Sequence, residues 1–232
     1  MPRLLPLLLL VAGPAYGGAF DLRDAVAAAA ETASPAVVTV TAGPALPADD
    51  PYAALFEDND LPSETGSGVV VDPAGLVLTN AHVVGEAAEA WLILSNGKKL
   101  KGRVTARDAA ADLALIKVST SAALSALRLA ETAPRAGDWA VAIGRPHGAG
   151  LVVTAGVVSS PRRRVPYGGA FRTALQTDAA INPGNSGGAL VNLDGELIGV
   201  PAAGYSAAGP YAGLGFAVPA SAARAFLEKH RK

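Results

Sequence analysis

A chain of 232 residues that is 50% hydrophobic and carries a formal net charge of −1 has the apolar material for a sizeable core. That charge balance is far from the excess expected of a disordered tail or a nucleic-acid binder. The chain contains no cysteine, which excludes a disulfide framework, a thiol nucleophile and a cysteine metal site together.

In chain order, the amino terminus reads as an export signal. Arg3 supplies a short positive region, residues 4–11 are apolar apart from Pro6, and Ala15 and Gly17 stand at a spacing that a signal peptidase accepts. The run falls short of the ~20 apolar residues of a permanent span, and Pro6, Gly13 and Pro14 would break a buried helix. No cysteine follows it to carry a lipid. Residues 1–17 are therefore expected to be removed, leaving residues 18–232 as a periplasmic or secreted protein without a stable membrane anchor.

Residues 21–33 form an alanine-rich amphipathic stretch, a short helix that stops at Ser34-Pro35. Short strands follow, at 36–41, 68–72, 76–79, 91–95, 98–103, 112–118, 139–143, 151–158, 172–177, 189–192, 196–200 and 213–218. Asp72-Pro73-Ala74-Gly75 has proline and glycine where a type I turn wants them, and Asn96-Gly97 and Asp194-Gly195 signal hairpins. Residues 121–137 lack strand character, contain Pro134 and read as a linker between two halves, about 35–120 and 136–220. Residues 221–231 read as a closing helix capped by Ser221, with Phe226 and Leu227 on its buried face. The pattern is that of an all-β barrel or sandwich.

Chemistry concentrates in Asn182-Pro183-Gly184-Asn185-Ser186-Gly187-Gly188. A serine hydroxyl becomes a useful nucleophile when it is held open to substrate beside a base. Flanking glycines permit the tight turn and clear space for a scissile carbonyl. Such a loop can aim the N–H groups of Gly184 and Ser186 at one point, an oxyanion hole. A glycine-rich loop can equally be only a turn. For a base the chain offers three histidines. His230 lies in the last helical turn, where a cation suits the helix dipole, and His147 follows Arg145-Pro146 in a loop. His82, at the end of an apolar strand in Thr79-Asn80-Ala81-His82-Val83-Val84, is the best base by elimination. Asp112 opens an otherwise apolar strand and suits the orienting carboxylate; Asp108, beside Arg107 in a turn, is the less attractive choice. The order His, Asp, Ser is that of the chymotrypsin-type arrangement. Gly184 to Gly188 also fits Gly-x-Ser-x-Gly, but a strand and not a helix follows it.

The motifs taken together resemble the HtrA (high-temperature-requirement) family of trypsin-like proteases. They are Gly66-Ser67-Gly68-Val69-Val70, Leu78-Thr79-Asn80-Ala81-His82-Val83-Val84 and Asp112-Leu113-Ala114-Leu115-Ile116-Lys117, then Ala142-Ile143-Gly144, Gln176 through Gly188 and Leu214-Gly215-Phe216-Ala217-Val218-Pro219. The likeness runs from about Pro35 to Pro219. It implies a chymotrypsin/trypsin-like double β-barrel with a C-terminal helix, in which His82 is the base, Asp112 its orienter and Ser186 the nucleophile. It also implies a serine endopeptidase acting on exported, unfolded or misfolded protein or peptide substrates, and a homotrimer joined through Phe20, Leu22 and Val26. A chaperone-like or binding protein with the same fold and little turnover is the alternative. No metal and no cofactor is expected, since the motifs show no histidine pair or acidic cluster at ligand spacing.

Departures from the family carry information. Its members continue into PDZ domains, whereas this sequence stops after the closing helix. Arg145 and His147 stand where the family has an asparagine and an aromatic after Ile-Gly. Pro161-Arg162-Arg163-Arg164 falls where relatives carry a mobile activation loop and reads as a solvated loop. Ala180 and Ile181 stand where trypsin-like enzymes place the base of the primary specificity pocket; being uncharged, they favour small aliphatic side chains. Asn185 replaces the aspartate of digestive relatives, so activation by a freed amino terminus is not expected.

Overall fold

The computed structural model describes residues 21–45, 62–146, 150–167, 170–202 and 213–230. The expected leader at 1–17, Phe20, His147 and Arg231 lie outside the described residues.

Two six-stranded closed barrels make up the fold, which is the expected double barrel. The first is built from β1 (Val37–Ala45), β2 (Pro62–Asp72), β3 (Leu76–Thr79), β4 (Glu89–Ile93), β5 (Lys99–Asp108) and β6 (Leu113–Val118). Its strands close in the order β1-β2-β3-β6-β5-β4. The second uses β7 (Trp139–Gly144), β8 (Val152–Tyr167), β9 (Ala170–Thr177), β10 (Ala189–Val191), β11 (Leu197–Pro201) and β12 (Gly215–Pro219). It closes as β10-β11-β12-β9-β8-β7. Closure removes free sheet edges, and inward side chains fill each barrel. Leu78, Leu92, Leu113, Leu115 and Ile116 are fully buried in the first, and Ile143, Leu175, Leu190, Leu197 and Ile198 in the second.

Helices cover part of the apolar surface outside the barrels. α1 (Leu22–Ala33) buries Ala29 and Ala33, and its Thr32 side chain packs at the Gly195 turn of the second barrel. A 3-10 turn over Ser34–Ala36 with Pro35 then leads into β1. α2 (Ala81–Val84) is a single turn directly after β3. α3 (Ala220–His230) buries Ala223, Phe226 and Leu227, as its spacing suggests, but begins one residue before Ser221, which is therefore in the first turn and not a cap. The linker is less detached than its composition implies: the Leu127 N–H donates to Val70 O, and Leu129 bridges Leu197.

Two placements correct the sequence reading. Arg162, Arg163 and Arg164 are part of β8 and not of a loop, with Arg163 opposite Ala174 and Arg164 opposite Thr173. The register shifts between Val158 and Ser160 and again between Ser160 and Arg163. Those bulges take up Pro161, whose missing N–H would otherwise interrupt the ladder. The three arginines are exposed, so the strand is solvated even though it is paired. His82 stands on α2 and not on a strand, because Asn80 leaves β3 in an extended conformation (φ −79°, ψ 150°) and the backbone then coils.

Register is what brings the motif-bearing segments together. The antiparallel β3–β6 pair sets Thr79 opposite Ala114, so the exit of β3 and the entrance of β6 meet. The β7–β10 pair sets Ile143 opposite Ala189, which brings Gly144 and Arg145 beside the loop that precedes β10. Thr39 opposite Ser67 in β1–β2 places both on the side of the first barrel that meets this loop. Gly215 opposite Thr177 does the same for residues 178–181 and the start of β12.

Candidate active site

His82 and Asp112 arrive together from that β3–β6 junction. The His82 ring Nδ1 lies 3.0 Å from Asp112 Oδ1 and 2.9 Å from Oδ2, and the His82 backbone N–H donates to Oδ1 at 3.1 Å. A carboxylate only accepts, so the proton of a neutral imidazole facing it belongs on Nδ1, which leaves the Nε2 lone pair available. The Asp112 side chain is 2% exposed and that of His82 36%, so the carboxylate lies inside and the imidazole reaches the surface.

Asp112 is not the first residue of a strand but precedes β6 with φ +55°, the one positive-φ position among the described non-glycine residues. That conformation is uncommon for a residue with a side chain, and aspartate is among the few that adopt it. Asn80 holds it: its Nδ2 donates to the Asp112 carbonyl oxygen at 2.8 Å. Asn80 is fully buried, and its Oδ1 has no hydrogen-bond partner. Asp108, the alternative carboxylate, accepts from the Ala111 N–H at 2.8 Å and so caps the turn leading to Asp112. His230 packs on Phe226 within α3 at 4.8 Å between ring centroids.

The Ser186 loop belongs to the second barrel but is seated on the first. Ser67 of β2 donates its N–H to Ser186 O at 2.8 Å and its hydroxyl to Gly184 O at 2.7 Å. A Cβ on Gly187 (φ +82°) would lie 2.2 Å from Ser67 O, 2.3 Å from Thr79 Oγ1 and 3.2 Å from Asn80 N. One on Gly66 would meet Val83, the neighbour of His82, at 2.8 Å and Ser186 O at 2.9 Å. The loop thus lies against the β3–α2 junction that carries His82. Two internal bonds shape it, Asn185 N–H to Asn182 O and Gly188 N–H to Asn185 O, both 3.0 Å, and Gly187 N–H ties it to Pro201 O of β11 at 2.9 Å. Gly184 has φ +90°, and its N–H has no acceptor among the described residues. Ser186 itself is 5% exposed.

Ala180 and Ile181 precede this loop. Ile181 is buried, and a Cβ on Gly215 would come within 2.7 Å of its Cγ1. The Ala180 carbonyl accepts from Thr154 Oγ1 at 2.8 Å and from Asn185 Nδ2 at 3.4 Å. Asn185 therefore makes a neutral contact where an ion pair would need a carboxylate.

Three residues whose role sequence reasoning missed complete the arrangement: Ser67, Asn80 and Arg145. The first two stand inside quoted motifs, with nothing in their spacing to distinguish them from neighbours. Arg145 donates its N–H to Ser67 Oγ and its Nε–H to Val37 O, both at 2.8 Å, and Thr39 Oγ1 donates to Arg145 O at 3.0 Å. Burial lowers the guanidinium pKa from its ordinary value. A cavity of about 890 Å³ lies between the linker and α3 and is lined by none of His82, Asp112 and Ser186. Among the described residues no group of three or more His, Asp or Glu could hold a metal ion, and no helix is long and apolar enough to cross a membrane.

With this geometry in hand, comparison with known proteins is decisive: the pattern of the trypsin-like peptidase domain matches residues 66–200. The chain belongs to the trypsin-like peptidase domain family. Similar proteins include the periplasmic serine endoprotease DegP of Salmonella typhimurium, 47% identical over 158 residues that cover 67% of this chain and 33% of that protein. DegP of Escherichia coli K12 is 45% identical over the same span and shares. The periplasmic pH-dependent serine endoprotease DegQ of Escherichia coli K12 is 36% identical over 212 residues, 86% of this chain and 46% of that protein. The chain thus spans between a third and a half of the length of these relatives. The likeness agrees with the HtrA-type motifs, and the trypsin-like peptidase domain covers strands of both barrels together with the His82, Asp112 and Ser186 segments.

Proposed function

We propose that this trypsin-like peptidase domain is a serine endopeptidase that cleaves exported, unfolded or misfolded proteins in the periplasm. The observation that carries the reading is the His82 Nδ1 to Asp112 carboxylate pairing at 2.9 Å beside a loop that presents Ser186. The names of the DegP and DegQ relatives, periplasmic serine endoproteases, support both the reaction and the compartment.

In this mechanism His82 Nε2 takes the Ser186 hydroxyl proton as Oγ bonds to the scissile carbonyl carbon. The carbonyl π electrons move to oxygen, and the N–H groups of Gly184 and Ser186 stabilise that charge; one such donor is worth roughly 3–4 kcal/mol. Collapse breaks the C–N bond, and His82 returns its proton to the leaving amine. Water then repeats the sequence on the acyl-Ser186 ester with His82 again as base. Asp112 stays ionised throughout and holds the imidazole in the tautomer and orientation the transfers need. Ala180 and Ile181 form the floor of the pocket for the side chain before the scissile bond.

The test is labelling with a fluorophosphonate probe. The wild type should label and Ser186→Ala should not, with casein hydrolysis lost by on the order of 10⁶ and the fold unchanged. Equal labelling or equal casein degradation by the two proteins overturns the reading.

For assembly we propose a homotrimer joined through the region ahead of β1. Leu22 and Val26 of α1 are partly exposed although α1 docks on its own second barrel through Ala29 and Ala33. Light scattering at micromolar concentration should give three times the mass of one chain; a single-chain mass ends the trimer.

A further inference from the structure

The nucleophile loop contains a residue that cannot hold itself in place. Gly184 has no side chain, and of the turn bonds only that from Asn185 N–H to Asn182 O reaches a peptide group it shares, the one on the far side of its Cα from its own N–H. Its φ of +90° lies in a region open to glycine, which is also the residue freest to leave it. Among the described residues, the one group that bonds to Gly184 is the Ser67 hydroxyl, at 2.7 Å on the carbonyl oxygen. Ser67 is fully buried and lies in the other barrel.

The direction of that bond is fixed by a third residue. The Arg145 N–H donates to Ser67 Oγ at 2.8 Å, so the hydroxyl is an acceptor there and turns its own proton to Gly184 O. Arg145 is itself pinned to β1 at two points, by Thr39 Oγ1 on its carbonyl and by its Nε–H on Val37 O. Ser67 completes the clamp with its backbone, donating to Ser186 O and accepting from Thr79 Oγ1 at 2.7 Å. Through Arg145, one side chain therefore links β1, β2 and the residue after β7 to the proposed oxyanion donor.

We infer that Ser67 is a positioning residue, whose hydroxyl holds the Gly184 carbonyl so that the Gly184 N–H stays aimed at the developing oxyanion. This rests on the reading of Ser186 as nucleophile and Gly184 as oxyanion donor. Ser67 touches no reacting atom; it acts through the loop. Without the hydroxyl, Gly184 O loses its partner, Arg145 N–H loses its acceptor, and the Gly184–Asn185 peptide keeps only the Asn185 N–H to Asn182 O bond, so that the glycine turns more easily out of line.

The experiment compares full-chain wild type, Ser67→Ala and Ser67→Cys, the last nearly isosteric but a weak donor. Turnover, KM, affinity for a peptide boronate that forms a tetrahedral adduct, and affinity for the corresponding cleaved product peptide are read at a temperature where each variant is folded. For Ser67→Ala, kcat should fall about tenfold or more, part of the ~10²–10³ lost when an oxyanion donor is deleted outright. KM and product affinity should stay within about twofold, while boronate affinity falls with kcat. Ser67→Cys should lie between, and it decides the matter if Ser67→Ala does not fold. Unchanged kcat in the variants overturns the inference, as does a loss of product affinity equal to the loss of boronate affinity, which would mark plain loosening of the cleft. A wild type that fails to label with fluorophosphonate overturns the underlying reading of Ser186, and is distinguished by that result.

Discussion

Asn80 Nδ2 donates to the carbonyl oxygen of Asp112 at 2.8 Å, and Asp112 holds φ +55°. The bond spans β3 and β6 and offsets part of the backbone strain that turns the carboxylate back onto His82. Asn80→Leu removes it. One buried hydrogen bond is worth about 1 kcal/mol net, but the Asn80 Oδ1 is already an unpaired buried acceptor, and deleting it recovers a penalty of similar size. The expected outcome is a stability change within ~1 kcal/mol together with a clear fall in kcat. Thermal unfolding beside casein hydrolysis checks it; loss of both in proportion would mean that Asn80 only supports the fold.

Asp112→Asn should be far more severe for activity than for folding. An amide at this position presents a donor to His82 Nδ1 and so favours the tautomer whose proton is on Nε2, where it blocks acceptance of the serine proton. Turnover should fall by about 10⁴ with the cleft geometry retained. Steady-state kinetics on a chromogenic peptide read the loss, and a residual rate within about tenfold of wild type would remove Asp112 from the mechanism.

Much of this was readable from residues alone, for identifiable reasons. Alternation and turn chemistry at Asn96-Gly97 and Asp72-Pro73-Ala74-Gly75 mark strands directly, and the HtrA-type motifs point to the double barrel. The arginine run at 162–164 misled because proline and charge signal a loop locally, while bulges that let a strand absorb Pro161 depend on the partner β9. The helical turn that carries His82 is silent in the sequence because one turn of helix has no periodicity to detect. Ser67 and Arg145 stayed silent for a deeper reason. Their value lies in hydrogen bonds between residues 78 and 117 positions apart, which no local pattern encodes.

Gly187 and Gly97 offer a paired test of the seat between loop and barrel. Both have φ near +80°, so alanine at either pays the same left-handed penalty of about 1–2 kcal/mol. At Gly97 a Cβ meets nothing within 4 Å, whereas at Gly187 it lies 2.2 Å from the Ser67 carbonyl oxygen and 2.3 Å from Thr79 Oγ1. Gly97→Ala should therefore cost only the strain and leave activity intact. Gly187→Ala should cost at least ~2 kcal/mol more, the range for overpacking a tight site, and abolish hydrolysis by lifting the Ser186 loop. Denaturant unfolding of the two variants gives the difference directly; equal losses would show that the loop does not rest on β2 as described.

The last expectation concerns which peptide bond is cut. Ile181 is buried against the start of β12, where Gly215 leaves no room to spare: a Cβ there would stand 2.7 Å from Ile181 Cγ1 and 2.9 Å from Ala179 O. Ala180 contributes only a methyl group, and its carbonyl is already bonded to Thr154 and Asn185. No carboxylate belongs to this set, so a lysine or arginine entering it would surrender its hydration without gaining a counter-charge, at a cost of several kcal/mol. A valine or isoleucine instead gains about 1.5–3 kcal/mol from burial and has few rotamers to lose. A peptide library should therefore show valine, alanine and isoleucine before the scissile bond, with lysine and arginine depleted at least about a hundredfold in kcat/KM, the discrimination that a 3 kcal/mol difference provides. Ala180→Asp should then raise cleavage after lysine or arginine relative to valine, because it places the missing counter-charge on the proposed pocket floor. A wild-type profile led by basic residues, or an Ala180→Asp profile identical to wild type, would show that the side chain before the scissile bond is received elsewhere in the cleft.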